Sequence, residues 1–287
     1  MTALTLSPLH PLFVAEIQGV DLRQPTDATL AAEVEAAMDE FAVVVFRDQD
    51  LDEFQQMDFT RALGPIDMGL LKVVQRRNRF KQAGMIDISN VDLESQVLGR
   101  GDPRLVTMLA NQLWHSDSSF KQPSAKYSLL LACILPDQGG ETEFADMRAA
   151  YDALPDEKTA AIEDLMTEHS AFHSRMQLGD QQYTPDDLAK YPTVEWPIVR
   201  THPGSQRKTL FIGAHATRVL DWPVPEGRLL LADLLEHATQ RQFVYRHTWC
   251  PGDLVIWDNR AVLHRGRRYD LTQRRELRRS TVEDVAA

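Results

Sequence analysis

Short apolar runs rich in β-branched residues recur along this chain, many of them closed by proline, glycine or asparagine, and this pattern constrains the fold more than any other feature. Residues 42–47 (AVVVFR) read as a buried strand. So do 127–135 ahead of Pro136, 198–201, 209–212, 253–258, 261–264 and 277–282. Asn259-Arg260 is short enough to join 253–258 and 261–264 as a tight pair. Helical periodicity intervenes at 26–38, with Leu30, Val34, Ala37 and Met38 on one face, and at 52–63, with Asp52 as N-cap and Gly64-Pro65 as the stop. Residues 148–154, 155–166 and 227–238 also read as helical. Short strands with interspersed helices point to a mainly β fold, a sandwich or barrel with helical decoration. Residues 68–104 lack clear periodicity and carry Lys72, Arg76, Arg77, Arg79 and Lys81, which predicts a long loop or lid. No glycine-rich phosphate loop follows a strand, so a nucleotide-binding fold is not expected.

The 287 residues are 43% hydrophobic and 25% charged, as in ordinary globular chains, and read as a single domain over 1–287. The net charge of −11 argues against nucleic acid and anionic membrane as partners, since both are polyanions. Two cysteines are too few for a disulfide framework, which suggests a reducing, cytoplasmic setting. Cys133 lies in an apolar run and is expected to be a buried core thiol. The N-terminal segment MTALTLSPLHPLF lacks a basic n-region, and no apolar run reaches the ~18 residues a membrane span needs.

The most informative segment is NQLWHSDSSF, residues 111–120, which places His115 and Asp117 two apart. In a strand, positions i and i+2 share a face, so an imidazole and a carboxylate can converge on one cation. A third donor must come from elsewhere among the nine histidines. His264 is the best placed, at the end of a predicted strand. Two histidines and a carboxylate with open positions form the facial triad of non-haem Fe(II) oxygenases. H-x-D alone is weak, because a hydrogen-bonded core histidine followed by a turn-forming aspartate gives the same string.

Eight arginines crowd the C-terminal part of this acidic chain: Arg260, Arg265, Arg267, Arg268, Arg274, Arg275, Arg278 and Arg279. Arg267, Arg268 and Arg274 are assigned to a solvated face. A strand through Arg275, Leu277 and Arg279 puts these three on one side, where two guanidinium groups can fork carboxylates. Thr142, after Gly139-Gly140, can add a hydroxyl, although a threonine in a strand is usually only a strand former.

Trp114-His115-Ser116-Asp117, Gly139-Gly140-Glu141-Thr142, Trp257-Asp258-Asn259-Arg260, His264-Arg265 and Arg275 together resemble the taurine dioxygenase family of Fe(II)/2-oxoglutarate enzymes. The resemblance covers nearly the whole chain. It implies a double-stranded β-helix, or jelly-roll, core. It implies His115, Asp117 and His264 as iron ligands, with 2-oxoglutarate and O2 as co-substrates and ascorbate in support. Thr142 and Arg275 would hold the distal carboxylate of 2-oxoglutarate. Arg279, Asn111, Lys72, His202 and His215 would meet a small-molecule carboxylate substrate. Homo-oligomerisation is left open.

Longer stretches, among them EFADMRAAYDALP and LHRGRRYDLTQRRELRRST, are similar to the branch that cleaves phenoxyacetates such as 2,4-dichlorophenoxyacetate. This implies hydroxylation beside the ether oxygen, giving a phenol, glyoxylate, succinate and CO2, within aromatic catabolism. Asp117 argues against a halogenase, in which a small residue stands at that position. Three rivals remain at this point: a same-family enzyme acting on another carboxylate or a taurine-like sulfonate, a zinc hydrolase using the same triad, and a non-catalytic β-sandwich binding protein.

Overall fold

The structure, a computed structural model, describes residues 4–68, 79–180 and 183–285. The first half of the chain contains β1 (Thr5–Pro8), β2 (Ala15–Gln18), α1 (Ala28–Phe41), β3 (Val43–Phe46), α2 (Glu53–Ala62), β4 (Ile86–Ser89), α3 (Pro103–Met108), β5 (Ala125–Ile134) and β6 (Thr142–Asp146). Then follow α4 (Met147–Asp152), α5 (Asp156–Ile162), β7 (Met166–His169), α6 (His173–Met176), α7 (Pro185–Lys190), β8 (Val194–Pro197), β9 (Val199–Thr201) and β10 (Lys208–Leu210). The chain ends through β11 (Ala216–Val219), α8 (Val224–Ala238), β12 (Val244–His247), β13 (Leu254–Asp258), β14 (Val262–Gly266) and β15 (Glu276–Glu283).

Seven strands form the main sheet in the order β1-β2-β3-β13-β5-β15-β4, antiparallel except for β2 beside β3. A second sheet, β12-β6-β14, faces it, and two smaller ones, β11-β7-β8 and β10-β9, complete the β structure. Strict alternation explains why the main sheet is buried on both sides. Val44, Phe46, Leu129, Leu131, Leu254 and Ile256 point back under α1 and α2. Val43, Val45, Leu130, Val255 and Trp257 point forward, against Phe144 and Val262 of the second sheet. Ala145 and Leu263, on the outer face of that second sheet, pack with α4 and α8. Mainly β architecture with helices outside, around a jelly-roll core of two facing sheets, agrees with the expectation.

Helix starts were readable because their caps are local. The Asp27 side chain accepts from the Leu30 amide at the head of α1. Asp52 forms a capping box with Gln55 at the head of α2. Four expectations need correction. Residues 253–258 and 261–264 are not hairpin partners: β13 lies between β3 and β5 in the main sheet, while β14 pairs with β6 in the facing one. The Asp258–Arg260 corner, where Asp258 Oδ1 accepts from the Arg260 amide at 2.8 Å, carries the chain from one sheet to the other. Secondly, the stretch read as a loop contains β4, which pairs with the edge of β15; residues 69–78 lie outside the described residues. Thirdly, the helix expected to 166 ends at Ile162, and Met166 already begins β7. Finally, Cys133 is exposed rather than buried: β15 pairs Leu277 with Ala132 and Glu276 with Ile134, so Cys133 is the extra residue of a β-bulge near the end of β5.

Candidate metal centre and carboxylate pocket

His115 and His264 are brought together by backbone pairing. The His115 amide donates to the His264 carbonyl at 3.0 Å, and the His264 amide returns the bond at 2.9 Å. Antiparallel partners joined by both bonds project their side chains to the same side. The two ring centroids accordingly lie 4.2 Å apart. His115 Nδ1 donates to the Leu113 carbonyl at 2.8 Å, which directs Nε2 inward. His264 Nδ1 has no partner among the described residues, and its ring is held instead by Trp257, 4.6 Å away.

Asp117 arrives differently from the expectation. Only His115 is bridged in strand fashion; Asp117 sits in the turn that follows, beside Ser118 at φ 53°. Its position is fixed by Asn259 rather than by strand alternation. Asn259 Oδ1 accepts the Asp117 amide at 3.0 Å and Trp257 Nε1–H at 3.0 Å. Ser116 Oγ donates to the Asn259 carbonyl at 2.7 Å. Ser128 Oγ donates to Asp117 Oδ2 at 2.7 Å and accepts from Asn259 Nδ2 at 3.0 Å. Asn259 and Ser128 therefore hold the carboxylate, and no motif assigned them that role in advance. One donor atom from each of His115, Asp117 and His264 lies within 4.8 Å of the other two, and all three residues are buried.

Burial drives the pKa values of both histidines below the usual range, so they are neutral and free to donate lone pairs at pH 7. Burial acts to raise the Asp117 pKa, but the Arg279 guanidinium, helped by the Ser128 hydroxyl, outweighs it and holds the carboxyl ionised. Arg279 Nη1 donates to Asp117 Oδ1 at 2.5 Å, while Arg279 Nε has no partner. An ionised carboxylate offers about four lone-pair sites, so these two donors leave room for a cation.

Arg275 defines the other end of the same pocket. Its amide donates to Asn90 Oδ1 at 2.8 Å, and Asn90 Nδ2 donates to the carbonyls of Leu271 and Gln273 at 3.0 and 2.8 Å. Its Nη2 donates to the Gly140 carbonyl at 2.9 Å, and its guanidinium lies 5.3 Å from the centre of the Tyr269 ring. Only 7% of the residue is exposed, Nε has no partner, and no carboxylate among the described residues is within ion-pair distance. A buried, uncompensated guanidinium costs several kcal/mol unless an anion completes it. Buried Thr142 stands nearby on the facing sheet, with its Oγ1 accepting from Trp249 Nε1–H at 3.1 Å. Gly140 has φ +74°, and a Cβ there would fall 2.8 Å from Arg275 Nε. Gly140→Ala should therefore raise the concentration of dicarboxylate needed for half-saturation by about tenfold, by straining the turn and displacing the guanidinium. A titration of that requirement in the purified variant checks this.

His115, His264, Thr142, Arg275, Arg279 and Asn111 all line this pocket between the two sheets. Asn111 comes from the short 3-10 turn Leu109–Gln112. Arg267, assigned to a solvated face, also lines the pocket, with Nη1 3.7 Å from Glu143 Oε2. His202 does not reach the pocket, which corrects the expectation for it: its Nε2 is engaged with Asp258 Oδ2 at 2.9 Å, fully buried at the inter-sheet corner. His215 lies behind the metal cluster, its ring edge-on to His115 at 6.1 Å and its Nδ1 donating to the Ser170 carbonyl. Lys72 lies outside the described residues.

Comparisons with known proteins agree with this geometry. The family described as "Taurine catabolism dioxygenase TauD, TfdA family" matches residues 5–281. The alpha-ketoglutarate-dependent 2,4-dichlorophenoxyacetate dioxygenase of Cupriavidus pinatubonensis is 57% identical, with 98% of each chain covered. The (S)-phenoxypropionate/alpha-ketoglutarate-dioxygenase of Sphingobium herbicidovorans is 36% identical, over 98% of this chain and 95% of its own. Among solved structures, AAD-2 in complex with Mn(II) and N-oxalylglycine superposes with a TM-score of 0.92 at 46% identity, covering 100% of this chain and 98% of its own. A match over almost the whole length, on a fold with a buried His-Asp-His cluster and a buried arginine in one pocket, makes this chain a member of the TauD/TfdA dioxygenase family.

Proposed function

We propose that this chain is an Fe(II)/2-oxoglutarate-dependent dioxygenase that hydroxylates the carbon between the ether oxygen and the carboxylate of phenoxyacetates, 2,4-dichlorophenoxyacetate foremost. The single observation that carries the reading is the pairing, within one pocket, of a neutral-His/carboxylate cluster with a buried arginine that has no carboxylate partner among the described residues. The donor set fits the metal: two imidazoles and one ionised carboxylate on one side leave coordination positions open to a chelating co-substrate. His115, Asp117 and His264 hold the iron. When bound, the iron couples oxidative decarboxylation of 2-oxoglutarate to oxidation of a substrate C–H bond, yielding succinate and CO2.

The protein's own part is position and charge. Arg275 and the Thr142 hydroxyl take the distal carboxylate of 2-oxoglutarate, which fixes its other end toward the histidines. Arg279, with Nε free, takes the carboxylate of the primary substrate and so presents the adjacent carbon to the cluster. Asn111 borders the same space. The apolar walls Ile88, Leu130 and Trp257 exclude water from the reacting carbon. Hydroxylation there gives a hemiacetal, which collapses to a phenol and glyoxylate. We read 1–287 as one domain, since the main sheet contributes to two of the apolar clusters and the facing sheet joins the third. No helix among the described residues is long and apolar enough to cross a membrane.

The comparisons offer no support for a zinc hydrolase, and such an enzyme would have no use for Arg275. A same-family enzyme acting on a sulfonate shares the metal centre, so only turnover separates the two. The test is succinate release with Fe(II), ascorbate and O2 across phenoxyacetates, phenoxypropionates, cinnamates and taurine. Fastest release with 2,4-dichlorophenoxyacetate, with phenol and glyoxylate in equal amounts, is expected. Taurine-driven release, or product formation under argon, would overturn the reading. Arg279→Gln should raise the KM for the phenoxyacetate about tenfold or more through loss of a charge-assisted bond, and steady-state kinetics at saturating 2-oxoglutarate reads this directly.

A further inference from the structure

We propose that Trp249 is a positioning residue for the co-substrate: its indole N–H sets the direction of the Thr142 hydroxyl so that the hydroxyl proton points at the bound dicarboxylate. This rests on the reading of Thr142 and Arg275 as the carboxylate-binding pair. An indole nitrogen only donates, whereas a threonine hydroxyl carries one proton and two lone pairs. Trp249 Nε1 lies 3.1 Å from Thr142 Oγ1, so one lone pair of the hydroxyl is already engaged. Among the described residues no acceptor takes the hydroxyl proton, and Thr142 lines the pocket. A hydroxyl that would otherwise rotate freely about its C–O bond is held as a donor toward the pocket, and its ordering entropy is met before the ligand arrives.

The fold places this contact with care. β12 pairs with β6 in a register that sets His247 opposite Thr142, so Trp249, two residues on, comes over the start of β6. The indole is 8% exposed and packs in the cluster between the two sheets. His247 meets it edge-on at 4.5 Å. His247 Nε2 is itself 3.1 Å from Asp253 Oδ2, and that oxygen accepts from Arg47 Nη1 at 2.6 Å and from the Cys250 amide at 2.8 Å. The Arg47–Asp253–His247 chain thus fixes the imidazole that packs edge-on against the Trp249 ring. None of Arg47, Asp253 and His247 lines the pocket, so the effect passes through one hydroxyl.

The test is calorimetric binding of N-oxalylglycine to the Mn(II)-loaded protein, which reads affinity without turnover. Trp249→Phe removes the N–H together with part of the buried ring, and the Thr142→Val background separates these two effects; through the N–H it should weaken N-oxalylglycine about fivefold, the size of one net hydrogen bond. Thr142→Val should weaken it by at least as much. The double variant should be no weaker than Thr142→Val alone, because the indole acts only through the hydroxyl. In a Thr142→Ser background, where a hydroxyl remains, the Trp249→Phe loss should persist. A purely structural Trp249 would instead give losses that add in the Thr142→Val background. Additive losses, or an unchanged affinity in Trp249→Phe, overturn the proposal. If Arg275→Gln also binds N-oxalylglycine normally, the co-substrate assignment itself fails and this inference falls with it; if Arg275→Gln binds weakly and Trp249→Phe does not, the inference alone falls.

Discussion

Asp117→Ala should reduce succinate formation by at least about a thousandfold while leaving the protein folded. Asp117 is the only carboxylate in the cluster, and without it two neutral imidazoles face a divalent cation with no compensating charge. The loss of metal affinity follows from charge as much as from ligand count. Arg279 adds to it: the guanidinium that now donates to Asp117 Oδ1 would stand unpaired beside the metal position and repel a cation. Asp117→Asn keeps the shape and one oxygen, yet should fail almost as completely, because the amide presents no negative charge. Some stability should be lost, because the ionised carboxyl is favoured in the folded protein and its removal leaves Arg279 without its counter-charge, so the thermal midpoint should fall while a cooperative transition remains. The readouts are Fe(II) stoichiometry, succinate release and the thermal midpoint. Succinate formation at the wild-type rate in either variant would refute the metal assignment.

Arg275→Gln should raise the 2-oxoglutarate requirement about a hundredfold, the size of a lost charge-assisted fork of roughly 3 kcal/mol. Stability should move in the opposite direction from that of a removed ion pair. Arg275 is 7% exposed with no carboxylate partner among the described residues, so the ligand-free protein bears an uncompensated buried charge. Burial presses its pKa downward, with only Tyr269 opposing. A neutral Gln or Met removes that burden, so the thermal midpoint of the ligand-free variant should be equal to or higher than that of the wild type. Added 2-oxoglutarate should then stabilise the wild type far more than the variant, by mass action. A normal KM for 2-oxoglutarate in Arg275→Gln contradicts the role given to it.

Much of this was legible in the sequence, for reasons of range. The continuous apolar run Val43–Phe46, the Asp27 and Asp52 caps and the turn glycines depend on neighbours within a few residues. The metal cluster was legible for another reason: His115, Asp117 and His264 stand in long strings that resemble a known family. Spacing by itself gave the wrong mechanism for Asp117, because the residue leaves the strand at Ser116 and is caught by Asn259 from 142 positions away. Similar long-range contacts hid the exchange of β13 and β14 between sheets, since two strands separated by a tight turn look alike whether they pair or part. His202 shows the converse error. A histidine is an attractive ligand in a string of letters, but a carboxylate at Asp258 with room for one more donor claimed it. Trp249 gave no signal at all, because its partner Thr142 lies 107 residues earlier and only sheet register joins them.

The most direct test of the account is a crystal structure of the protein grown anaerobically with Fe(II) and 2-oxoglutarate. One metal ion should be bound by His115 Nε2, His264 Nε2 and an Asp117 oxygen, with the keto-acid end of 2-oxoglutarate on the metal and its distal carboxylate on Arg275 and the Thr142 hydroxyl. A metal bound without Asp117, or a co-substrate whose distal carboxylate avoids Arg275, would contradict it.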